Sequence, residues 1–179
     1  MAVYLAFAVD KGAESLSTIC IWSSDPKNEL VIGTFRRQAL PMTWDFAEAN
    51  PFASSSGSFA KHVASTCKVI ATSLGGTVQG WADQGDASTG VDFGGKLREQ
   101  PILSTDPPYY DNIGYADLSD YLYVWLRYSL KPVFPHLFAT VAVPKTGELV
   151  ATPYRHGSKE KAESFFLDGM TQVIDPPPV

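Results

Sequence analysis

A short segment, DPPY at residues 106–109, combines side chains that could hold a flat amine. The carboxylate of Asp106 accepts hydrogen bonds from an amino group, and the Pro107-Pro108 step fixes the backbone so that a carbonyl points to the same place. The ring of Tyr109 can stack on a planar partner. Together these residue types are typical of a clamp for a planar amine, such as the exocyclic NH2 of a nucleobase that has left its helix.

The same segment also has a purely structural interpretation. An aspartate that opens a proline turn commonly forms an Asx turn, and Asp106 could serve only in that role. The polar residues that follow, Tyr110, Asp111 and Asn112, are expected to shape the loop. We favour the clamp because of the elements expected on either side of it.

These elements are predicted to alternate between helices and strands. Residues 2 to about 20 predict a helix packed on both sides, and apolar residues at helical spacing predict a second helix that follows residues 54–58 and ends at Gly75-Gly76. Residues 77–83 and 100–105 have the composition of short strands. This order is typical of an α/β fold with a mostly parallel sheet and flanking helices. Ligands of such sheets gather at the carboxyl ends of the strands, where DPPY is expected.

Two further helices are predicted after the DPPY segment. Ser119 is a plausible N-cap for a helix that runs to Leu130 and is closed by Pro132. The stretch at 152–170 predicts a turn followed by a helix whose Phe165-Phe166 pair points inward.

Composition limits the classes of function that the chain can have. Its 179 residues, 45% of them hydrophobic, suffice for the core of one domain. A net charge of −5 argues against a protein that holds duplex nucleic acid over a broad basic surface, because phosphate contacts need clustered Lys and Arg. Basic residues concentrate only at Arg36-Arg37 and at 155–161, which we interpret as solvated surface. Any contact with nucleic acid should therefore be local.

The cysteines and the amino terminus indicate the compartment. Cys20 and Cys67 are far apart and belong to no CxxC pair, so neither a disulfide framework nor a zinc site is indicated. The apolar start MAVYLAFAV is interrupted by Asp10-Lys11, which makes it too short for a membrane span, and it lacks the basic leader of a signal peptide. We expect a cytoplasmic protein without a membrane partner.

The hydrophobic run that leads into DPPY resembles motif IV of the amino-methyltransferases. These enzymes move a methyl group from S-adenosyl-L-methionine to an exocyclic nitrogen of a nucleobase, and DPPY is typical of those that act on adenine N6 or, less often, on cytosine N4. A closer resemblance, to the large adenine-specific DNA methylases that carry an amino-terminal domain of unknown function, covers three stretches: 37–52, 104–127 and 143–170.

This resemblance implies a fold and a division of the chain. The fold would be a partial Rossmann-like methyltransferase sheet, and 1–179 would be a single partial catalytic domain. Within it we expect a helical lead-in at 1–52, an αβ core with the DPPY loop at 53–145, and a carboxyl-terminal helix with a tail at 146–179.

The resemblance also implies roles for individual residues. Asp106 and the carbonyl of Pro107 or Pro108 would accept hydrogen bonds from the target NH2 of a flipped-out adenine in DNA, and Tyr109 would stack on the base. Asp86 resembles the acidic position that binds the adenine amino group of the cofactor. A turn or helix cap explains Asp86 equally well.

The cofactor part of the pattern is incomplete. Asn50 and Phe52 could line the cofactor pocket, although packing accounts for them equally well. No stretch resembles the Gly-rich D-P-F-x-G-x-G turn that lets the cofactor approach the backbone. The chain therefore resembles an internal fragment of a larger methylase, whose remainder would be a partner. Two functions follow: methyl transfer to adenine N6 in DNA, and a non-catalytic methyltransferase-like module that serves in interactions.

Overall fold

The structure is a computed structural model that describes residues 1–36, 39–40, 42–73, 75–76, 80, 82, 84–89, 102 and 104–175. The chain forms two compact units. The first unit is drawn from Met1–Val78 and Tyr115–Pro144, and the second from Gln79–Gly114 and Lys145–Val179.

Helices supply most of the regular structure in both units. The first unit contains three helices, α1 (Ala2–Leu16), α2 (Phe59–Ser73) and α3 (Tyr115–Leu130). It also contains two strands, β1 (Ile21–Trp22) and β2 (Val31–Ile32). The second unit contains a short 3₁₀ helix (Ala87–Thr89) and two α-helices, α4 (Pro153–His156) and α5 (Lys159–Ile174). Within the described ranges no helix combines the length and the apolar character needed to cross a membrane.

The predicted α/β fold, a partial Rossmann-like and mostly parallel sheet, is wrong for the described residues. Their one sheet has two strands, which pair antiparallel with Ile21 opposite Ile32. The predicted strands at 77–83 and 100–105 fall mostly outside the described residues, and the parts that are described belong to no strand. Apolar runs this short carry too little periodicity to distinguish a strand from an extended loop.

Helix α1 confirms the predicted first helix, and part of its apolar surface is exposed. It packs against α2 and α3 and buries small residues such as Ala6 and Ala8. Leu5 and Phe7 remain about half exposed, at 43% and 50%. The core of this unit joins Ala6 to Leu130 and Phe138, and partly buried residues pack around it, namely Val3, Tyr123, Leu126 and Phe134.

The other predicted helices of the first unit are confirmed, with one corrected start. Helix α2 begins at Phe59, directly after the predicted serine-rich segment. Helix α3 begins at Tyr115, so the predicted N-cap Ser119 is wrong and lies inside the helix. The carboxylate of Asp117 in the first turn favours this earlier start, because an acidic side chain stabilises the amino end of a helix. The helix ends at Leu130, ahead of Pro132 as predicted.

Helix α5 confirms the predicted carboxyl-terminal helix and supports the DPPY loop. The hydroxyl of Ser158 caps it by accepting a hydrogen bond from the backbone N–H of Lys161 over 3.2 Å. Gly157 links α4 to α5 with a φ of 82°, a left-handed conformation that glycine adopts without steric cost. The ring of Phe165 stacks on His156 at a centroid distance of 4.3 Å.

Candidate functional site

The DPPY loop presents its predicted binding groups to solvent. Asp106, Pro107 and Tyr109 are exposed, and Pro108 is half-buried. Tyr109 is 58% exposed. The arrangement leaves a carboxylate and a ring accessible on the same short loop.

A hydrogen bond closes the corner that these residues form. The hydroxyl of Tyr109 donates to Oδ1 of Asp106 over 3.1 Å, which spans the Pro107-Pro108 step. The two prolines have fixed φ angles, so this bond restricts the few torsions that remain. A carboxylate has about four lone-pair positions, so Asp106 can still accept a hydrogen bond from an incoming amine.

A turn with an unusual backbone conformation follows the corner. The N–H of Asn112 donates to the carbonyl of Tyr109 over 3.0 Å, and Tyr110 between them has a φ of 52°. A left-handed conformation costs a non-glycine residue roughly 1–2 kcal/mol. Other contacts must therefore hold Tyr110 in place.

Three contacts of Tyr110 anchor the loop on its own unit. Its hydroxyl donates to Oε1 of Glu163 over 2.8 Å, and its ring meets Phe166 edge-on at a centroid distance of 5.2 Å. Its carbonyl accepts a hydrogen bond from the N–H of Ala151 over 3.0 Å. The hydrogen bond to Glu163 raises the pKa of the Tyr110 phenol, and burial and the charges of Glu163 and Asp111 act in the same direction. Tyr110 thus fixes the loop against α5.

An ion pair supports the segment that carries Ala151. Nη1 of Arg155 lies 2.6 Å from Oε2 of Glu148 and also donates to the carbonyl of Lys145 over 3.3 Å. Both side chains of the pair are largely buried, at 11% and 15% exposed. The neighbouring residues Val150 and Ala151 are buried as well, so the loop rests on a well-packed strip of chain.

Asp86 makes the contacts of a cap. Its Oδ1 accepts hydrogen bonds from the backbone N–H and the hydroxyl of Ser88, over 2.9 and 2.7 Å. Its carbonyl accepts from the N–H of Thr89 over 3.2 Å, which starts the short 3₁₀ helix. The hydroxyl and the backbone N–H of Ser88 lower the pKa of the Asp86 carboxyl. These contacts of Asp86 are those expected of a turn or helix cap, which is the structural explanation that the sequence allows.

Asn50 and Phe52 form a turn in the first unit. Oδ1 of Asn50 accepts a hydrogen bond from the N–H of Phe52 over 2.9 Å, and the Asn50 carbonyl accepts from Ala53 over 3.1 Å. The Phe52 ring is 88% exposed. Packing, the alternative that the sequence allows, accounts for Phe52 poorly, because so little of the ring is covered.

The predicted site residues make mostly local contacts. Asp106 and Tyr109 are in direct contact, whereas Asp86 contacts its own turn, and Asn50 and Phe52 belong to the first unit. The acceptors offered by Asp86 and Asn50 already have local donors.

Sequence reasoning missed the residues that support the loop. Glu163, Phe166 and Ala151 lie 41 or more positions after Tyr110 and carry no local signal of this contact. The sequence does indicate that Tyr110 shapes the loop, and the three contacts agree with that expectation.

Comparison of the chain with protein-family models, with curated proteins and with solved structures finds no match. The site's own chemistry therefore has to carry the functional argument.

Proposed function

We propose that residues 106–109 bind the exocyclic amino group of an adenine in DNA, as the target-base part of S-adenosylmethionine-dependent N6 methyl transfer. The observation that carries the proposal is the accessible corner in which the Tyr109 hydroxyl and the Asp106 carboxylate are joined over 3.1 Å. The resemblance of DPPY and of the three longer stretches to adenine-specific DNA methylases points to the same substrate.

The corner offers the two acceptors that an amino group needs. The Asp106 carboxylate takes one N–H, and the carbonyl of Pro107 or Pro108 takes the other. An aniline-like nitrogen held by two acceptors loses part of its conjugation with the ring, so its lone pair becomes available to an electrophile. The contribution of these residues is positioning and electrostatic stabilisation.

The exposed Tyr109 ring offsets the cost of removing the base from its stack. Extrusion of a paired base costs a few kcal/mol and least when the base is already unpaired. Stacking on an aromatic side chain returns about 1–3 kcal/mol per base. An unpaired or single-stranded adenine is therefore the best substrate for this loop.

Contacts with the DNA backbone are expected to be few. The chain carries a net charge of −5, and two basic residues of the second unit are engaged with carboxylates. Arg155 pairs with Glu148, and Nζ of Lys159 lies 3.8 Å from Oε1 of Glu163. Affinity should therefore depend on the base itself and only weakly on salt.

S-adenosylmethionine, when bound, supplies the methyl group. Asp86 and Asn50 already accept local hydrogen bonds, so we expect other residues of this chain or of a partner to form most of the donor site. The same observation favours a second candidate, a non-catalytic module that binds the base without transferring a methyl group. Transfer of labelled methyl from S-adenosylmethionine to an adenine oligonucleotide distinguishes them: transfer that is lost in Asp106→Ala favours the enzyme, and base binding without transfer favours the module.

Base binding itself is tested by fluorescence anisotropy with short single-stranded oligonucleotides. The first carries one central adenine, the second carries purine, which lacks the amino group, and the third carries cytosine. We expect adenine to bind about tenfold more tightly than purine, because an unmet pair of acceptors costs about 1.4 kcal/mol or more. Equal affinity for adenine and purine would refute the role of the corner, and tighter binding of cytosine would change the target base.

A further inference from the structure

A cavity with partly polar walls lies in the first unit. Its volume is about 550 Å³, which is in the range of sites for small organic ligands. It is bounded by the end of α1, the strands β1 and β2, the turn at 48–50 and the start of α2. The lining residues that matter here are Trp22, Glu29, Glu48, Ser58 and His62.

Two of these residues place unsatisfied polar atoms at the cavity wall. Ser58 is 2% exposed and His62 is 8% exposed, and among the described residues neither Oγ of Ser58 nor Nε2 of His62 has a hydrogen-bond partner. A buried polar atom without a partner costs about 1–3 kcal/mol. The two residues are four positions apart, about one helical turn, and both line the same cavity.

The missing bond of Ser58 is unexpected for its position. Ser58 immediately precedes α2, where a serine hydroxyl usually caps the helix by accepting a backbone N–H. Its hydroxyl makes no such bond, although the backbone carbonyl accepts from the N–H of His62 over 3.1 Å. The hydroxyl thus has no hydrogen-bond partner among the described residues.

The charge of the cavity indicates the class of that molecule. Glu29 and Glu48 are acidic and exposed, and none of the described lining residues is Lys or Arg. Trp22 adds an aromatic surface that is 55% exposed, which suits a cation. Among the described residues no three His, Cys, Asp or Glu side chains are grouped closely enough to hold a metal ion, so an organic cation fits better.

We propose that this cavity binds a small organic ammonium ion that carries an apolar body. The carboxylates of Glu29 and Glu48 supply the opposite charge, and the Trp22 ring supports the cation. The Ser58 hydroxyl accepts one of its N–H groups, and His62 lines the same wall. All of its residues lie in the first unit, whereas the adenine-binding corner belongs to the second.

Calorimetric titration of the whole chain with benzylammonium at low ionic strength tests the proposal. Benzyl alcohol and benzoate have the same apolar body with a neutral or a negative head group. We expect saturable binding of benzylammonium, at least tenfold weaker binding of the alcohol and no binding of benzoate. An absence of saturable benzylammonium binding, or equal affinity for the alcohol, would overturn the proposal.

Variants locate the binding. Glu48→Gln changes an exposed side chain, so the fold should be kept while benzylammonium affinity falls about five- to tenfold. Ser58→Ala should weaken binding by a similar factor, and Glu48→Gln decides the question if that variant fails to fold. The matched control Glu160→Gln lies in the second unit and should bind like the wild type. Unchanged affinity in Glu48→Gln would overturn the assignment of the site.

Discussion

The hydroxyl of Tyr109 donates a hydrogen bond to Oδ1 of Asp106 over 3.1 Å, across a Pro-Pro step that cannot fold in many ways. The bond fixes the carboxylate relative to the aromatic ring. The two groups expected to contact a base are therefore held together. The carboxylate would accept a hydrogen bond from the amino group, and the ring would stack on the plane of the base.

Substitutions at Tyr109 separate the hydroxyl from the ring. We expect Tyr109→Phe to keep adenine-oligonucleotide affinity within about threefold, because the stacking surface remains. Tyr109→Ala should weaken it about tenfold or more, since stacking contributes about 1–3 kcal/mol per base. Fluorescence anisotropy measures both. If the phenylalanine and alanine variants bind equally, the ring does not contact the base.

The hydrogen bond of the Tyr110 hydroxyl should stabilise the second unit, and this stabilisation should be lost at alkaline pH. The hydrogen bond to Glu163, first among its causes, raises the pKa of Tyr110 above the ordinary value of 10.0. A group whose pKa is raised by folding contributes its stability below the unfolded value and loses it as pH rises through the folded value. We therefore expect Tyr110→Phe to lower the melting temperature at pH 8, and this difference should disappear well above pH 10.

Circular dichroism melts at several pH values check this expectation. Tyr154→Phe is a matched control, because Tyr154 is 71% exposed in the same unit. A difference between wild type and Tyr110→Phe that persists unchanged at the most alkaline pH would contradict the role of the Glu163 bond.

Asp10 should destabilise the first unit at neutral pH. It is half-buried on α1, its Oδ1 has no hydrogen-bond partner in the part of the chain that the structure describes, and burial raises its pKa to about 6. Between the usual pKa of 3.8 and the folded pKa of about 6, the folded state keeps a proton that the unfolded chain has released. The free energy of unfolding therefore falls as pH rises through this window. We expect Asp10→Asn to stabilise the protein by about 1 kcal/mol at pH 7.5, a value reduced for solvent screening of the partly exposed group.

Melting curves of Asp10→Asn at pH 4 and pH 7.5 test this account. The gain of a few degrees at pH 7.5 should vanish at pH 4, where the wild-type carboxyl is protonated. Asp45→Asn, at an exposed position of the same unit, is the control and should change little. An equal gain at both pH values would exclude the buried charge as its cause.

The sequence predicts the helices better than the sheet. Long runs with apolar residues at helical spacing, such as Phe59 to Ser73, contain enough turns for the pattern to be decisive. Pro132 stops α3 at Leu130 through local sterics. The start of α3 was wrong because Ser119 resembles a cap in isolation, whereas the helix extends four residues further toward Tyr115.

Local sequence patterns do not predict short strands reliably, and they do not predict the long-range contacts that support the site. QPILST contains too few residues to show a period of two, and it yields no strand at its described positions. For the site, the exposed DPPY corner could be recognised from residue types alone. The contact of Tyr110 with Glu163 joins residues 53 positions apart and depends on where α5 packs, which no local pattern specifies.

The coupling between Asp106 and the amino group of the base is the most direct test of the central claim. It is measured as the ratio of affinities for the adenine and purine oligonucleotides in wild type, Asp106→Ala and the control Asp86→Ala. We predict a ratio of about ten in the wild type and in Asp86→Ala, and a ratio near one in Asp106→Ala. A ratio that remains about ten in Asp106→Ala would show that Asp106 does not bind the amino group and would contradict the account.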